Sequence, residues 1–270
     1  MSVASEITRI QNAKGSLKTS INAKTDAQHQ ITNETIDNYA EFVDSITTGG
    51  GGLDWSALGF NETPQSIQNG YNYAKYIKDN NITTSLSNDL KLRFLPSLTY
   101  NGLSSMENWY SNCSNLQSIA DLTFPNITDV NGTFWNCSSL EDVKSINGDG
   151  FTDTRSIFRG CSILKNAPII NTSKVTRMDT MFQNCTNLEY VPQYNTSKAQ
   201  RLSNIFSGCQ SLTDESLNNI LKMCININPS YSRAKTLAEL GFTSSYYSTS
   251  RIQALTEYQN FTNAGWSIGY

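Results

Sequence analysis

Apolar residues in the middle of the chain return to the same register every 24 positions. An aromatic residue (Tyr110, Phe134, Phe158, Phe182, Phe206) stands three before a cysteine (Cys113, Cys137, Cys161, Cys185, Cys209). A leucine (Leu116, Leu140, Leu164, Leu188, Leu212) stands three after it. A period of this length marks stacked units, each burying its apolar face only against its neighbours. Within 175–198, Val175, Met178, Met181 and Phe182 follow a 3-4 spacing that predicts a short helix or a single turn. Asn184 and its equivalents Asn112, Asn136, Gly160 and Gly208 accept left-handed backbone and end that turn. Leu188 and Val191 then bracket a short extended piece, in line with Leu164/Ala167, Leu140/Val143 and Leu116/Ile119. The predicted unit is helix, tight turn, strand and loop, and the predicted fold is an α/β repeat solenoid over 98–212. The first and fifth units depart from the pattern at their edges, and unit 154–177 has Thr154 where others carry Met or Val.

The pattern changes on either side. Over 1–47, Ile7, Ile10, Leu17 and Ile21 mark one helix, and Ile36, Tyr39, Phe42, Val43 and Ile46 a second. Neither carries enough apolar surface to stand alone, so the segment is expected to dock on a partner or to oligomerise through Ile7, Ile10, Leu17 and Ile21, the alternative being a helical hairpin packed only within its own chain. Gly49 to Gly52 form a hinge within 48–53. Residues 54–97, with a helix opened by Pro64 and ended near Asn80 and Asn81, are expected to cap the first unit. Residues 213–270 are expected to form a helical C-terminal cap. It contains a helix N-capped by Thr213, a second helix near 231–240 ending at Gly241, and a third from Ser250 to Ala264.

Composition removes several function classes. With 20 basic and 23 acidic residues and no long charge runs, no basic footprint for nucleic acid exists. No stretch approaches the ~18 apolar residues of a membrane span, and the opening residues have no secretory core. The cysteines repeat one layer apart, about 4.8 Å. Their parallel side chains suit buried apolar filler better than disulfides, and Cys224 reads as a helix-core residue. With no C-x-x-C pair and His29 the single histidine, no metal site or cofactor is expected. Glu141 and Asp142 sit on opposite faces of a strand and do not form an acid–base pair. No catalytic residue is assigned, and the chain is expected not to be an enzyme.

The units FWNCSSLEDV, FQNCTNLEYV and FSGCQSL, with VTRMDTMF ahead of one of them, resemble BspA-type leucine-rich repeats. Such repeats occur in bacterial surface adhesins and in bacteriophage structural proteins. The opening SEITRIQNAKGSLKTSINAK is similar to N-terminal segments of phage tail and fibre-like proteins, and the ending resembles C-terminal caps of phage proteins with this repeat. The resemblance implies a virion structural protein (tail fibre, tail appendage or head fibre), assembled in the host cytoplasm without a signal peptide. It would join other virion proteins through its N-terminal segment, as a homo-oligomer for which a trimer is favoured. It would bind a host-surface glycan or protein through the repeats. The alternative is a bacterial cell-surface adhesin with the same repeats. Binding is expected at outward positions that change from unit to unit: Trp135, Arg159, Asp142, Asn166 and Tyr190.

Overall fold

The computed structural model describes residues 74, 76, 77 and 84–270. The two predicted N-terminal helices, with Ile7, Ile10, Leu17 and Ile21, lie outside the described residues, as do His29, the glycine run and most of the capping helix before Asn80. Residues 74, 76 and 77 are helical.

The described chain stacks in parallel at the 24-residue period. Four strands form one sheet: β1 (Phe94–Leu95), β2 (Leu98–Thr99), β3 (Ser118–Thr123) and β4 (Asp142–Asn147). Phe94 faces Ser118, Ser118 faces Asp142, and Leu122 faces Ile146. On another side of each unit, single parallel bridges run Ser105 to Asp129 to Asp153 to Arg177 to Arg201. The register extends upstream of the first predicted unit. Leu86 and Asn88 donate N–H groups to the carbonyls of Trp109 and Ser111, so residues placed in the N-terminal cap supply a further layer. Asp89 occupies its cysteine position.

Phe182 and its neighbours belong to turns, not to the short helix that their spacing predicts. Met178, Thr180, Phe182 and Asn184 donate their N–H groups to Arg201, Ser203, Ile205 and Ser207 of the next layer, at 2.7 to 3.0 Å. Those donors are no longer free for i→i−4 bonds, and only tighter contacts such as Met181 N–H to the Met178 carbonyl (3.3 Å) remain. Alternate donation requires two left-handed residues per unit. The expected column has positive φ at Asn112, Asn136, Gly160, Asn184 and Gly208. A second, unpredicted column has it at Asn108, Gly132, Ser156, Thr180 and Asn204. Thr180 is β-branched and strained at φ 56, where its hydroxyl meets Ser156 Oγ at 2.7 Å.

The interior is a set of ladders. The aromatic rings stack almost parallel, with centroids 5.6 Å apart for Tyr110–Phe134, 5.7 Å for Phe134–Phe158, 5.8 Å for Phe158–Phe182 and 6.0 Å for Phe182–Phe206. Offset ring pairs add about 0.5–1.5 kcal/mol each beyond area burial. Thr154 is fully buried and satisfied: its hydroxyl donates to the Arg177 carbonyl at 3.4 Å. In the Cys137 unit Gly148 stands where its neighbours carry Phe124 and Thr172, and the Phe151 ring takes the vacated space. A Cβ on Gly148 would meet that ring at 2.5 Å.

The cysteines do more than fill volume. All six are free and buried. Cys137, Cys161, Cys185 and Cys209 each donate S–H to the carbonyl of the preceding unit's aromatic residue, at 3.1 to 3.2 Å, and Cys113 reaches the Leu86 carbonyl in the same way.

The C-terminal cap closes the open ladder. Helix α1 (Asp214–Ile225) starts as expected, with Thr213 Oγ1 accepting the Ser216 N–H. The helix predicted at 231–240 is a turn, because Leu237 N–H pairs with the Ser267 carbonyl while Asn204 and Phe206 donate to Glu239 and Leu240. Its backbone therefore serves as the last layer. The predicted third helix is two short ones, α2 (Thr249–Gln253) and α3 (Tyr258–Asn263), on either side of a turn. Tyr247 completes the closure: its hydroxyl donates to the Cys209 carbonyl (2.8 Å) and accepts the Leu212 N–H (3.0 Å).

Two measurements check the thiol ladder. Cys161→Ala removes a buried sulfur and a donor and is expected to cost about 1–3 kcal/mol in urea unfolding. Cys161→Ser keeps a donor and should unfold at higher urea; the reverse order would return the thiol to filler. Burial also pushes the Cys113 thiol from 9.0 up to about 11 and Cys209 up to about 12. The unfolded chain therefore releases these protons first, and binds fewer than the folded chain from about pH 9 upward. The urea midpoint should hold from pH 7 to 8 and fall from pH 9 toward 12, and Cys113 should be the first of the two to be alkylated.

Candidate functional site

Two outward columns carry the five residues singled out from the sequence. In the first, Trp135 and Arg159 follow one another at the last turn before the cysteine. Their carbonyls accept from Asn112 and Asn136 in the layer before, which holds the two side chains one layer apart on the same face. The Arg159 guanidinium carbon lies 5.5 Å from the Trp135 ring centroid. Such a pair stabilises by about 0.5–1 kcal/mol at an exposed site. It also occupies one face of the indole. Ser111, in the same column, is buried and shares a 3.0 Å hydrogen bond with Ser87.

The second column holds Ser118, Asp142, Asn166 and Tyr190. Ser118 pairs with Asp142 and Asn166 bridges to Tyr190, but the ladder breaks between Asp142 and Asn166. Asp142 and Asn166 are exposed and Tyr190 is half-buried. Trp135 is thus brought together with Arg159, and Asn166 with Tyr190. No hydrogen bond or ring contact joins the two pairs among the described residues. They are separate patches of the repeat surface.

A third surface was missed. Along the bridged side, Asp153 Oδ2 meets Arg155 at 2.8 Å and Arg177 at 3.4 Å, and Asp179 meets Arg201 at 3.5 Å. Glu107 accepts the Asn131 amide at 3.0 Å. Acidic groups gather toward Glu107 and Asp129, and basic groups toward Arg177 and Arg201. The signal was present in the sequence: these charges share columns at the 24-residue spacing. Asp129 has no ion-pair partner among the described residues. Burial, then the carboxylates of Asp153 and Glu107, hold its pKa above the usual range against the lowering effects of the Asn131 N–H and the Arg155 charge.

Among the described residues, no group of three or more His, Cys, Asp or Glu side chains is placed to hold a metal. No described helix is long and apolar enough to cross a membrane.

The comparisons with known proteins concern the repeats. Residues 104–220 match a family described as a Mycoplasma protein of unknown function, DUF285. Over that segment the chain is similar to BspA-like leucine-rich-repeat proteins. A crystal structure of a leucine-rich cell surface protein from Faecalibacterium prausnitzii is 25% identical, over 44% of this chain and 31% of that one, with a TM-score of 0.34. The chain spans less than a third of that protein's length. No curated protein matches the chain.

Asp129 supplies a test of the charged column. Its raised pKa means that the ionised form is the costly one in the fold. Its contribution is favourable below the usual carboxylate range and is lost as pH rises through the raised value. Asp129→Asn keeps the side-chain oxygen that accepts the Asn131 N–H. The variant should unfold at higher urea than the parent at pH 7. The difference should vanish below about pH 3–4.

Proposed function

We propose that the chain is a surface-recognition protein in which the stacked repeats, an LRR-type solenoid, serve as a rigid scaffold for adhesion and not for catalysis. One observation carries this reading. The inward columns hold nearly constant residues on a repeating backbone, while a column that is buried at Ser111 turns half-exposed and holds Trp135, Arg159, Gln183 and Ser207 in turn. A scaffold that repeats its interior and varies its exterior is suited to presenting side chains to a partner. Trp135 with Arg159, and Asn166 with Tyr190, supply planar and amide groups for a host-surface glycan or protein.

The finer assignment is a bacteriophage virion protein of the tail-fibre, tail-appendage or head-fibre kind. Its N-terminal segment would dock on other virion proteins and assemble a homo-oligomer, a trimer being favoured. This rests on the resemblance of the two ends of the chain to phage proteins. The second reading, a bacterial cell-surface adhesin, is favoured by the match of residues 104–220 to a Mycoplasma family.

Replacing Trp135 and Tyr190 together by Ala is expected to reduce attachment to the target surface at least tenfold in a protein that still unfolds cooperatively, with a midpoint lowered by the lost Trp135–Arg159 contact. Undiminished attachment would remove the two outward columns as the binding surface. Labelling the chain on purified particles and on intact cells separates the two readings: signal on particles supports the virion protein, and signal on the cell envelope the adhesin.

A further inference from the structure

A groove of about 470 Å³ opens beside β4, on a different column from the residues considered above. Its volume lies within the range of roughly 300–1,000 Å³ typical of small-molecule sites. The chain makes it for a local reason. β4 pairs with β3, and Pro168, 24 residues after Lys144, carries no N–H to continue the ladder. Bridging resumes only at Asn166 and Tyr190. Gly148 lies in the groove lining, and the buried Phe151 ring fills the space on its inner side.

The groove wall has a definite chemistry. Thr123, Asn147, Asp149 and Asn171 supply its polar groups, and Pro125 and Ile169 its apolar rim. Ile169 is 82% exposed, a large apolar surface left to water. Asn171 Nδ2 donates to Asp149 Oδ1 at 2.7 Å, which fixes the carboxylate and leaves Asp149 Oδ2 without a hydrogen bond or ion pair among the described residues. Asn147 Nδ2 donates to Ser145 Oγ at 2.9 Å and so presents its Oδ1 as an acceptor. Fixed acceptors, an amide with a remaining N–H and a hydroxyl therefore converge beside an apolar edge, with no cationic side chain in the lining. An anion finds no counter-charge there, and a cation finds one carboxylate oxygen. A ring that bears vicinal hydroxyls on its edge and C–H groups on its face satisfies both halves of the wall.

We propose that this groove binds a neutral pyranose unit of a surface glycan, with Asp149 and Asn147 accepting from its hydroxyls, Asn171 donating, and Ile169 and Pro125 packing on its C–H face. The proposal rests on the recognition reading above and supplies it with a ligand class and a location.

The test is saturation-transfer NMR on the full chain with the methyl pyranosides of glucose, galactose, mannose and N-acetylglucosamine. At least one should show transfer, and Asp149→Ala should weaken it about tenfold, equivalent to about 1.4 kcal/mol. Asn171→Ala should weaken it as well. Both groove residues are exposed, and an unchanged urea midpoint checks that the variants fold. No transfer from any of the four, or transfer that survives Asp149→Ala with Asn171→Ala, would overturn the proposal. Displacement of the sugar signal by an unstructured peptide with no loss in the Asp149→Ala variant would overturn it too. Attachment that persists while no pyranoside binds would remove the groove and leave the recognition reading standing.

Discussion

The carbonyls of Tyr110, Phe134, Phe158 and Phe182 each accept two hydrogen bonds, and the stack depends on that doubling. The Phe134 oxygen takes the N–H of Cys137 in its own unit at 3.3 Å and the S–H of Cys161 in the next at 3.2 Å. A carbonyl has two lone pairs, and in a dry interior an unused one costs free energy. The first bond closes the tight turn and the second joins that turn to the layer above. One atom therefore links local geometry to stacking. A thiol suits the place because it is small, weakly polar and tolerant of burial. Repetition of the contact keeps the aromatic rings at a separation where they can stack, and keeps the outward columns in line.

Much of this was legible from spacing alone. The period, the buried columns, the left-handed Asn/Gly positions and the Thr213 cap all follow from residue types at fixed offsets. The misreadings share a physical origin. Val175, Met178 and Phe182 look helical because a 3-4 spacing is also produced by a turn whose alternate N–H groups leave the layer. Residues 231–240 look helical because nothing in their composition says that Glu239 and Leu240 offer carbonyls to Asn204 and Phe206. The layer before Tyr110 is hidden in the sequence because Asp89 replaces the cysteine and Leu86 the aromatic residue, although Asn88 keeps the left-handed geometry.

The surface was harder to read than the interior. Trp135 stood out as a tryptophan in a variable column, but its contact with Arg159 depends on stacking that brings together residues 24 apart. The groove beside β4 is a defect in the pattern: Pro168 interrupts a ladder. Period-based reasoning discards such exceptions. In a repetitive protein they are where one unit differs enough from its neighbours to do something that they do not.

The left-handed asparagine and glycine column limits how the units can be ordered. A Cβ on Gly160 would come within 2.3 Å of Asn136 Oδ1, and one on Gly208 within 2.6 Å of Asn184 Oδ1. Asn136 follows Asn112 with its amide turned to make a 3.0 Å hydrogen bond. What may occupy this position in one unit is thus decided by the unit before it. The units form an ordered series with a neighbour rule, so copies inserted at random by duplication would meet unequal fates. Lengthening the protein would be easiest where a glycine unit follows an asparagine one.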